Sequence, residues 1–486
     1  MSLSVAFNNA RTSLTTTAKQ IAVSGRNITG ATDPNYARKT ALQVTGADGS
    51  AHIVGVARAT NLALFYRVIG TQSGASGQEA LLSGIGRLAT TIGDTADGAS
   101  PAALVGALRN AVQGLADSPS SRSGAQAVVS AANDLVSALG TASDTILSVR
   151  AEADAAMADS VGTINDLLAK FTTLNTQIVH GTVNGADVTQ AMDDRDAILG
   201  QLAEEIGVTV VMRSDNDIAL YTDGGVTLFD RSPRSVAFAA SNSLPAGTQG
   251  NAVFIDGVPV TGDSATMPLR AGRIAGLATL RDEVAPTYQT QLDEMARGLI
   301  GAFAEADQSG GGGPDLAGLF TWTGGPALPA PGVPGLAARL SVNAAVDPAQ
   351  GGSLDRLRDG GMNGADYSYN LAGMASFADR LTDVLEGLGA ARSFDAAAGI
   401  GTGVSVLDFA TASVGWLEQL RSTTSQSAEY QNTLLSRATE ALSNATGVNV
   451  DDEYALQLQL EQAYSASSKL IAVLQQLFDQ LLDAVA

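Results

Sequence analysis

The feature that most limits how this chain can fold is a seven-residue period present at both of its ends. From Leu456 an apolar or small residue returns as Leu456, Ala463, Leu470 and Leu477, with a second row at Leu460, Ser467, Leu474 and Leu481. Near the start, Phe7, Leu14, Ile21 and Ile28 form one row, and Leu3, Ala10, Thr17 and Ser24 form its companion. A repeat of this length keeps one stripe of a helix facing a partner, so each end reads as the a/d seam of a coiled coil. Separated by most of the chain, the two helices are expected to lie against each other or against copies of themselves. Because Thr17 and Ser24 are polar, the first helix alone buries too little to offset its ordering entropy, and it is expected to stay loose until partners cover it.

Between the ends the chain alternates helical and strand-like stretches. The first helix is expected over Leu3 to Ile28 and breaks at Thr29–Tyr36, where Pro34 and Asn35 suit the centre of a type II turn with Asn35 at positive φ. Lys39–Val44 and His52–Ala59 read as a hairpin turning at Asp48-Gly49. Helical spacing returns over Ala63–Ile92, with a break expected near Gly74. Ser100-Pro101 and Ser118-Pro119 are start signals for further helices, and Ile164, Leu167, Phe171, Leu174 and Ile178 form a clean stripe. After Gly207 the character changes. Val208–Val211, Ile218–Tyr221, Val226–Phe229, Val236–Phe238 and Val253–Val260 are short β-branched runs separated by Asp223-Gly224-Gly225 and Asp256-Gly257 turns. Helical periodicity resumes near Arg273, while Gly310–Pro314 and Gly324–Gly335 read as linkers or irregular loops. The fold class expected is mainly α with an inserted antiparallel β domain. Three parts are expected: 1–35 with 450–486 as a terminal coiled coil, 36–206 with 274–449 as a discontinuous helical domain, and 207–273 as the β-rich insertion.

Composition removes several functional classes. With a formal net charge of −21 the chain has nothing to neutralise a phosphate backbone, so no nucleic-acid partner is expected. No cysteine is present, which excludes disulfides and thiolate chemistry. No apolar run is long enough to span a bilayer, and no Sec-type leader is read at the start, so no membrane insertion is expected. The 53 glycines, with abundant alanine and serine, favour helices packed through small residues over a dense globule.

The inventory for catalysis is poor. His52 and His180 are far apart and lack companion ligands. Asp193, Asp194 and Asp196 form a carboxylate cluster, but Asp193 and Asp196 fall one turn apart beside Arg195, so pairing is the plain reading. Asp215-Asn216-Asp217 begins like a calcium loop and fails at Ala219 and Leu220. The Gly310 run has no phosphate-loop ending. No catalytic residue, metal site or cofactor is expected, and the chain is not expected to be an enzyme.

Two segments carry a resemblance. Asn27-Ile28-Thr29-Gly30-Ala31-Thr32-Asp33-Pro34-Asn35-Tyr36-Ala37-Arg38-Lys39 resembles the N-terminal signature of bacterial flagellar rod, hook and hook-associated proteins, with Gly30, Asp33 and Asn35 departing from it. Gly447–Tyr454, followed by Leu460–Ser467 and Leu477–Leu482, is similar to the hook-associated protein 1 family, which forms the junction between hook and filament. Met192–Leu202 with Gly207–Val210, and Gly276-Leu277 with Arg281-Asp282, match that family around its β domain.

The resemblance implies a structural protein exported unfolded by the flagellar type III apparatus, extracellular once delivered, and assembled at the hook tip. Implied partners are other copies in a ring or helical layer, the flagellar hook protein, the second junction protein, and a cytoplasmic export chaperone at the C-terminal helix. Assembly residues expected at the N-terminal seam and turn are Phe7, Leu14, Ile21, Asn27, Ile28, Pro34, Asn35, Tyr36 and Arg38. Those expected at the C-terminal seam are Tyr454, Leu456, Leu460, Ala463, Leu470, Leu474, Leu477 and Leu481. The alternatives are another flagellar axial protein, including the second junction protein, or a cytoplasmic coiled-coil interaction protein. The latter leaves the β insertion unexplained.

Overall fold

The structure is a computed structural model that describes residues 3–47, 49–93 and 98–483; Asp48, half of the expected hairpin turn, lies outside them. Helix α1 (Leu3–Gly30) leads into a hairpin of β1 (Lys39–Thr45) and β2 (Ala51–Arg58), then α2 (Leu62–Ala89), α3 (Pro101–Asp117), α4 (Arg122–Val183) and α5 (Thr189–Glu205). Strands β3 (Val208–Met212), β4 (Ile218–Thr222), β5 (Thr227–Asp230) and β6 (Ser232–Pro233) form an antiparallel meander. Strands β7 (Val236–Ala237), β8 (Phe254–Ile255) and β9 (Val258–Pro259) form a second small sheet, the Asp256-Gly257 turn splitting the last run in two. The chain returns through α6 (Arg273–Thr279), a π turn at Leu280–Val284 and α7 (Ala285–Ala302). It then pairs β10 (Phe320–Trp322) with β11 (Leu340–Val342) and continues through α8 (Arg356–Asp359) and α9 (Asp379–Gly389). Two long helices close it, α10 (Val406–Thr446) and α11 (Val450–Asp483).

Local signals set the helix starts. Ser100 accepts from the Ala103 amide with Pro101 in the first turn, Ser121 accepts from Gly124, and Ser405 from Asp408, each capping a donor that the helix itself cannot satisfy. Asn449 does the same for α11 through the amide of Asp451.

Helix α4 is the spine. Its 62 residues extend about 93 Å at 1.5 Å per residue, and Leu135, Leu139, Ile146, Met157, Ile164, Phe171 and Ile178 are wholly buried along it. Burying each such side chain stabilises the fold by about 1.5–3 kcal/mol. The Phe171 ring meets Phe229 of β5 edge-on at 5.0 Å, which carries the same core into the β insertion.

A buried polar joint fixes that insertion. Arg150 of α4 donates to the carbonyls of Arg281, Leu244, Pro245 and Thr248, while Arg281 pairs with Asp154 and Asp282. Both guanidiniums are at most 2% exposed, so every donor must be met inside the protein.

Two expectations change here, the first being the start of α4, which is capped by Ser121 and not opened by Ser118-Pro119. Helix α2 does not break at Gly74, because its glycines serve packing: a side chain on Gly276 would collide with the Gly77 carbonyl, and one on Gly84 with Leu280. The segment around Gly324–Gly335 is an irregular loop, as expected, and it is packed. It carries the chain from β10 to the buried Leu336 and Ala337, and Asp293 of α7 accepts from the amides of Gly335 and Ala337.

Candidate functional site: the junction of the terminal helices

Helices α1 and α11 lie antiparallel. Phe7 meets Phe478 edge-on at 6.2 Å, the Ser13 and Ser467 hydroxyls are 3.5 Å apart, and the Ser24 hydroxyl donates to the Glu453 carboxylate at 2.8 Å. The pair is therefore formed within a single chain, whereas the composition of the first helix pointed to a loose segment. The polar companion row explains the difference. Ala10, Thr17 and Ser24 are the most buried seam positions of α1, because small side chains let the helices approach closely. The larger Phe7, Leu14, Ile21 and Ile28 flank them, half-buried.

On α11 one expected row faces α1 and the other does not. Leu474 is buried and Leu460 half-buried, with Ser467 between them on the same row. The companion row is displaced by one residue from the expected one, to Gln457, Ile471 and Phe478, all half-buried. Leu456, Ala463, Leu470 and Leu477 are exposed, as are Leu481 and Tyr454. The amphipathic pattern was too broad to choose between two adjacent stripes, and the structure leaves one of them uncovered.

At the base of the pair a polar knot ties four segments together. The Asn27 side chain accepts from the Lys39 amide and the Tyr36 hydroxyl, and donates to the Lys39 carbonyl at 2.8 Å. The Tyr36 ring sits over the end of α1, where a Cβ on Gly30 would lie 2.5 Å from it, so this departure from the flagellar signature makes room for the ring. Arg38 donates to Glu453 through Nε at 2.8 Å, and its amide donates to the Thr446 carbonyl. The Lys39 ammonium lies 3.0 Å from Asp193 and 4.0 Å from the Tyr36 ring centre. Arg58 then bridges Asp193 and Asp196 of α5. Pairing is thus the fate of the Asp193 cluster, but its partners are Lys39 and Arg58. Arg195 turns away to Asn175 and the Asn216 carbonyl.

Pro34 and Asn35 form an exposed turn, yet Asn35 is not among the described residues with positive φ. The turn is instead held by Asp33, whose carboxylate accepts from the Asn35 amide and whose carbonyl accepts from Tyr36. An Asx turn satisfies the backbone without a left-handed residue.

Burial pushes the Tyr36 hydroxyl up to about 12, partly opposed by Arg26 and reinforced by Asp193 and Glu453. Burial likewise lowers Arg195 to about 10. Sequence reasoning missed Glu453, which is 1% exposed, and chose its exposed neighbour Tyr454. Three consecutive acidic or polar positions at a helix start look solvated, and only the partner 429 residues away shows which one is covered.

Above the knot an open groove of about 980 Å³ separates α1 and β2 from the turn between α4 and α5. One ion pair, Arg26–Asp187 at 3.0 Å, crosses it. Among the described residues no group of three or more His, Asp or Glu could hold a metal ion, and no helix is long and apolar enough to cross a membrane. What the arrangement can do is mechanical: it joins the two ends of a long chain to one side of a helical body.

A terminal helix pair, a discontinuous helical body and a β insertion make up one class of fold, and comparison with known proteins shows what this chain is similar to. A profile described as the flagellar hook-associated protein FlgK helical domain matches residues 85–318. Flagellar hook-associated protein 1 of Salmonella typhimurium is 23% identical over 307 residues, which is 61% of this chain and 54% of that protein. The Bacillus subtilis protein of the same name is 21% identical over 402 residues, 77% of this chain and 74% of its own length. The matched part thus spans about half the length of the Salmonella relative. The flagellar hook junction protein FlgK from Burkholderia pseudomallei has the same fold, with a TM-score of 0.55 at 14% identity over 77% of this chain and 98% of that one. The chain is thus similar to flagellar hook-associated protein 1 in sequence over much of its length and in fold.

Proposed function

We propose that this chain is a structural junction protein between the flagellar hook and filament, exported unfolded and folded where it assembles outside the cell. The uncovered apolar row of α11, Leu456, Ala463, Leu470 and Leu477, carries this reading. A seam that is satisfied on one side and bare on the other fits a helix pair whose outer face is covered by neighbours. In this reading the divisions are 1–35 with 450–486 as the inner assembly domain, 36–206 with 274–449 as the helical domain and 207–273 as the β domain. Copies of the chain form a ring or helical layer, with hook protein on one side and the second junction protein on the other. The same bare row on α11 is where a cytoplasmic chaperone would bind before export, since covering it prevents premature association. The seam, turn and knot residues act by positioning, and no chemical step is involved.

Deletion of residues 1–30 or 456–486 tests the proposal. The expected result is loss of filament attachment with hooks intact, and a purified core that still unfolds cooperatively. Filaments attached as in the wild type would overturn it.

A further inference from the structure

The chain contains two Asn-Gly steps, and both stand in the same tetrapeptide, Asn-Gly-Ala-Asp, at 184–187 and at 363–366. Asparagine before glycine is the pair most open to attack by the backbone on its own side chain, because glycine has no Cβ to block the approach. With the local sequence shared, any difference in reactivity falls to the fold.

The two settings are opposite. Asn184 caps the C-terminus of α4 on the exposed turn to α5, with Gly185 in the left-handed region at φ 69°. Backbone bonds close the turn, from the Gly185 amide to the Thr182 carbonyl at 3.2 Å and from the Ala186 amide to the Gly181 carbonyl at 2.8 Å. The Asn184 side chain has no hydrogen-bond partner among the described residues, so it is free to turn. Asn363 is half-buried and clamped. Its Nδ2 donates to Glu305 Oε2 at 3.0 Å and to the Ala317 carbonyl at 2.8 Å, and its backbone amide donates to the same Glu305 oxygen at 3.1 Å. Glu305 is itself wholly buried, which fixes the clamp in place.

We propose that Asn184 deamidates in the folded chain while Asn363 is protected, and that the product loosens the ion pair holding α1 to the turn between α4 and α5. Deprotonated by hydroxide, the Gly185 nitrogen attacks Cγ of Asn184. The new bond closes a succinimide ring, and the side-chain nitrogen leaves as ammonia with a proton taken from water. Water then adds to either ring carbonyl and reopens the ring, giving aspartate or isoaspartate, in which the main chain runs through Cβ. In sum one water is consumed and one ammonia released. At ψ 2° the Asn184 backbone holds the reacting atoms out of line, so the turn must first open. That opening breaks two exposed backbone bonds, whereas Asn363 has its side-chain clamp to break as well. Either product places a carboxylate at the negative end of the α4 dipole and close in sequence to Asp187. Isoaspartate also lengthens the turn that positions Asp187, the partner of Arg26 at 3.0 Å across the groove.

Peptide mapping of the purified full-length chain held at mildly alkaline pH reads both sites at once, through the mass change of an amide replaced by an acid. In the folded chain, conversion at Asn184 is expected to be at least about tenfold faster than at Asn363, the factor that one retained hydrogen bond supplies. In urea, where only the shared tetrapeptide acts, the two rates should converge. Equal rates in the folded chain, or faster conversion at Asn363, overturn the proposal. A difference that persists in urea also overturns it, because the fold is then not its source. Hydrogen exchange over residues 19–30 should be up to about fivefold faster in the converted chain than in fresh chain, the limit for an exposed ion pair. An Asn184→Gln variant aged in the same buffer should keep the exchange of fresh chain, since glutamine closes the corresponding ring far more slowly. Unchanged exchange in the converted chain, or equal acceleration in the aged variant, overturns the link to α1.

Discussion

The helical body and the terminal pair solve the same problem of holding long helices together in opposite ways. In the body, α4 buries large side chains such as Leu139, Ile164 and Phe171 completely. In the terminal pair the buried seam of α1 is Ala10, Thr17 and Ser24, and on α11 only Glu453 and Leu474 are fully covered. The body is therefore stabilised by volume filled and the pair by close approach and a few directed polar bonds. Much apolar surface is left outside the pair, and almost none is left outside the spine of the body.

That difference is quantitative and can be broken. Phe171→Ala opens a cavity where helix and β insertion share a core, and should cost about 3–5 kcal/mol in chemical denaturation. A loss below about 1 kcal/mol would mean that the body is as loosely packed as the ends. Glu453→Ala leaves the Ser24 hydroxyl and a partly solvated Arg38 without their acceptor; about 2 kcal/mol is expected, discounted because Arg38 reaches water. Hydrogen exchange should rise over residues 3–30 and 450–483 and stay unchanged in α4. Uniform acceleration would show that the knot stabilises the whole molecule.

A pH experiment sharpens the same contrast. The Tyr36 hydroxyl has its folded value raised to about 12, so the unfolded chain loses this proton first as pH rises. Its contribution is present below pH 10 and disappears between about 10 and 12. Ultraviolet tyrosinate titration of wild type against Tyr36→Phe should isolate this late step; an identical titration curve would contradict the burial of that ring. The smallest effect is expected at the bare row. Leu470→Ser should change the stability of the isolated chain by less than about 0.5 kcal/mol, because an exposed site loses no packing. A loss of several kcal/mol would mean that the row is already covered within one chain.

These contrasts also mark where the sequence was readable. Period placed the long helices and Ser100-Pro101 marked the start of α3, whereas α4 is capped by Ser121, beyond the expected Ser118-Pro119 start, and β-branched runs marked the insertion. The knot was only half legible. Asn27, Tyr36 and Arg38 stood out through a recognisable signature, but Glu453, Lys39 and Asp193 join it from distant segments, and nothing local distinguishes a buried carboxylate from a solvated one. The shift of the α11 seam has a similar origin: adjacent heptad rows are both apolar, and only the position of α1 selects between them. Asn35 shows that two turn chemistries can share one sequence, with the Asp33 side chain deciding.

The antiparallel pairing has a further consequence in time. Ser13 and Ser467 are neighbours in space but 454 positions apart, so α1 is synthesised long before its partner exists. Wherever the chain folds, α1 has nothing to lie against until α11 is in place. A chain that lacks α11 keeps α1 but has nothing to close against it. Closure of the terminal pair is thus a last event in the life of each molecule, and one that a shortened copy cannot imitate.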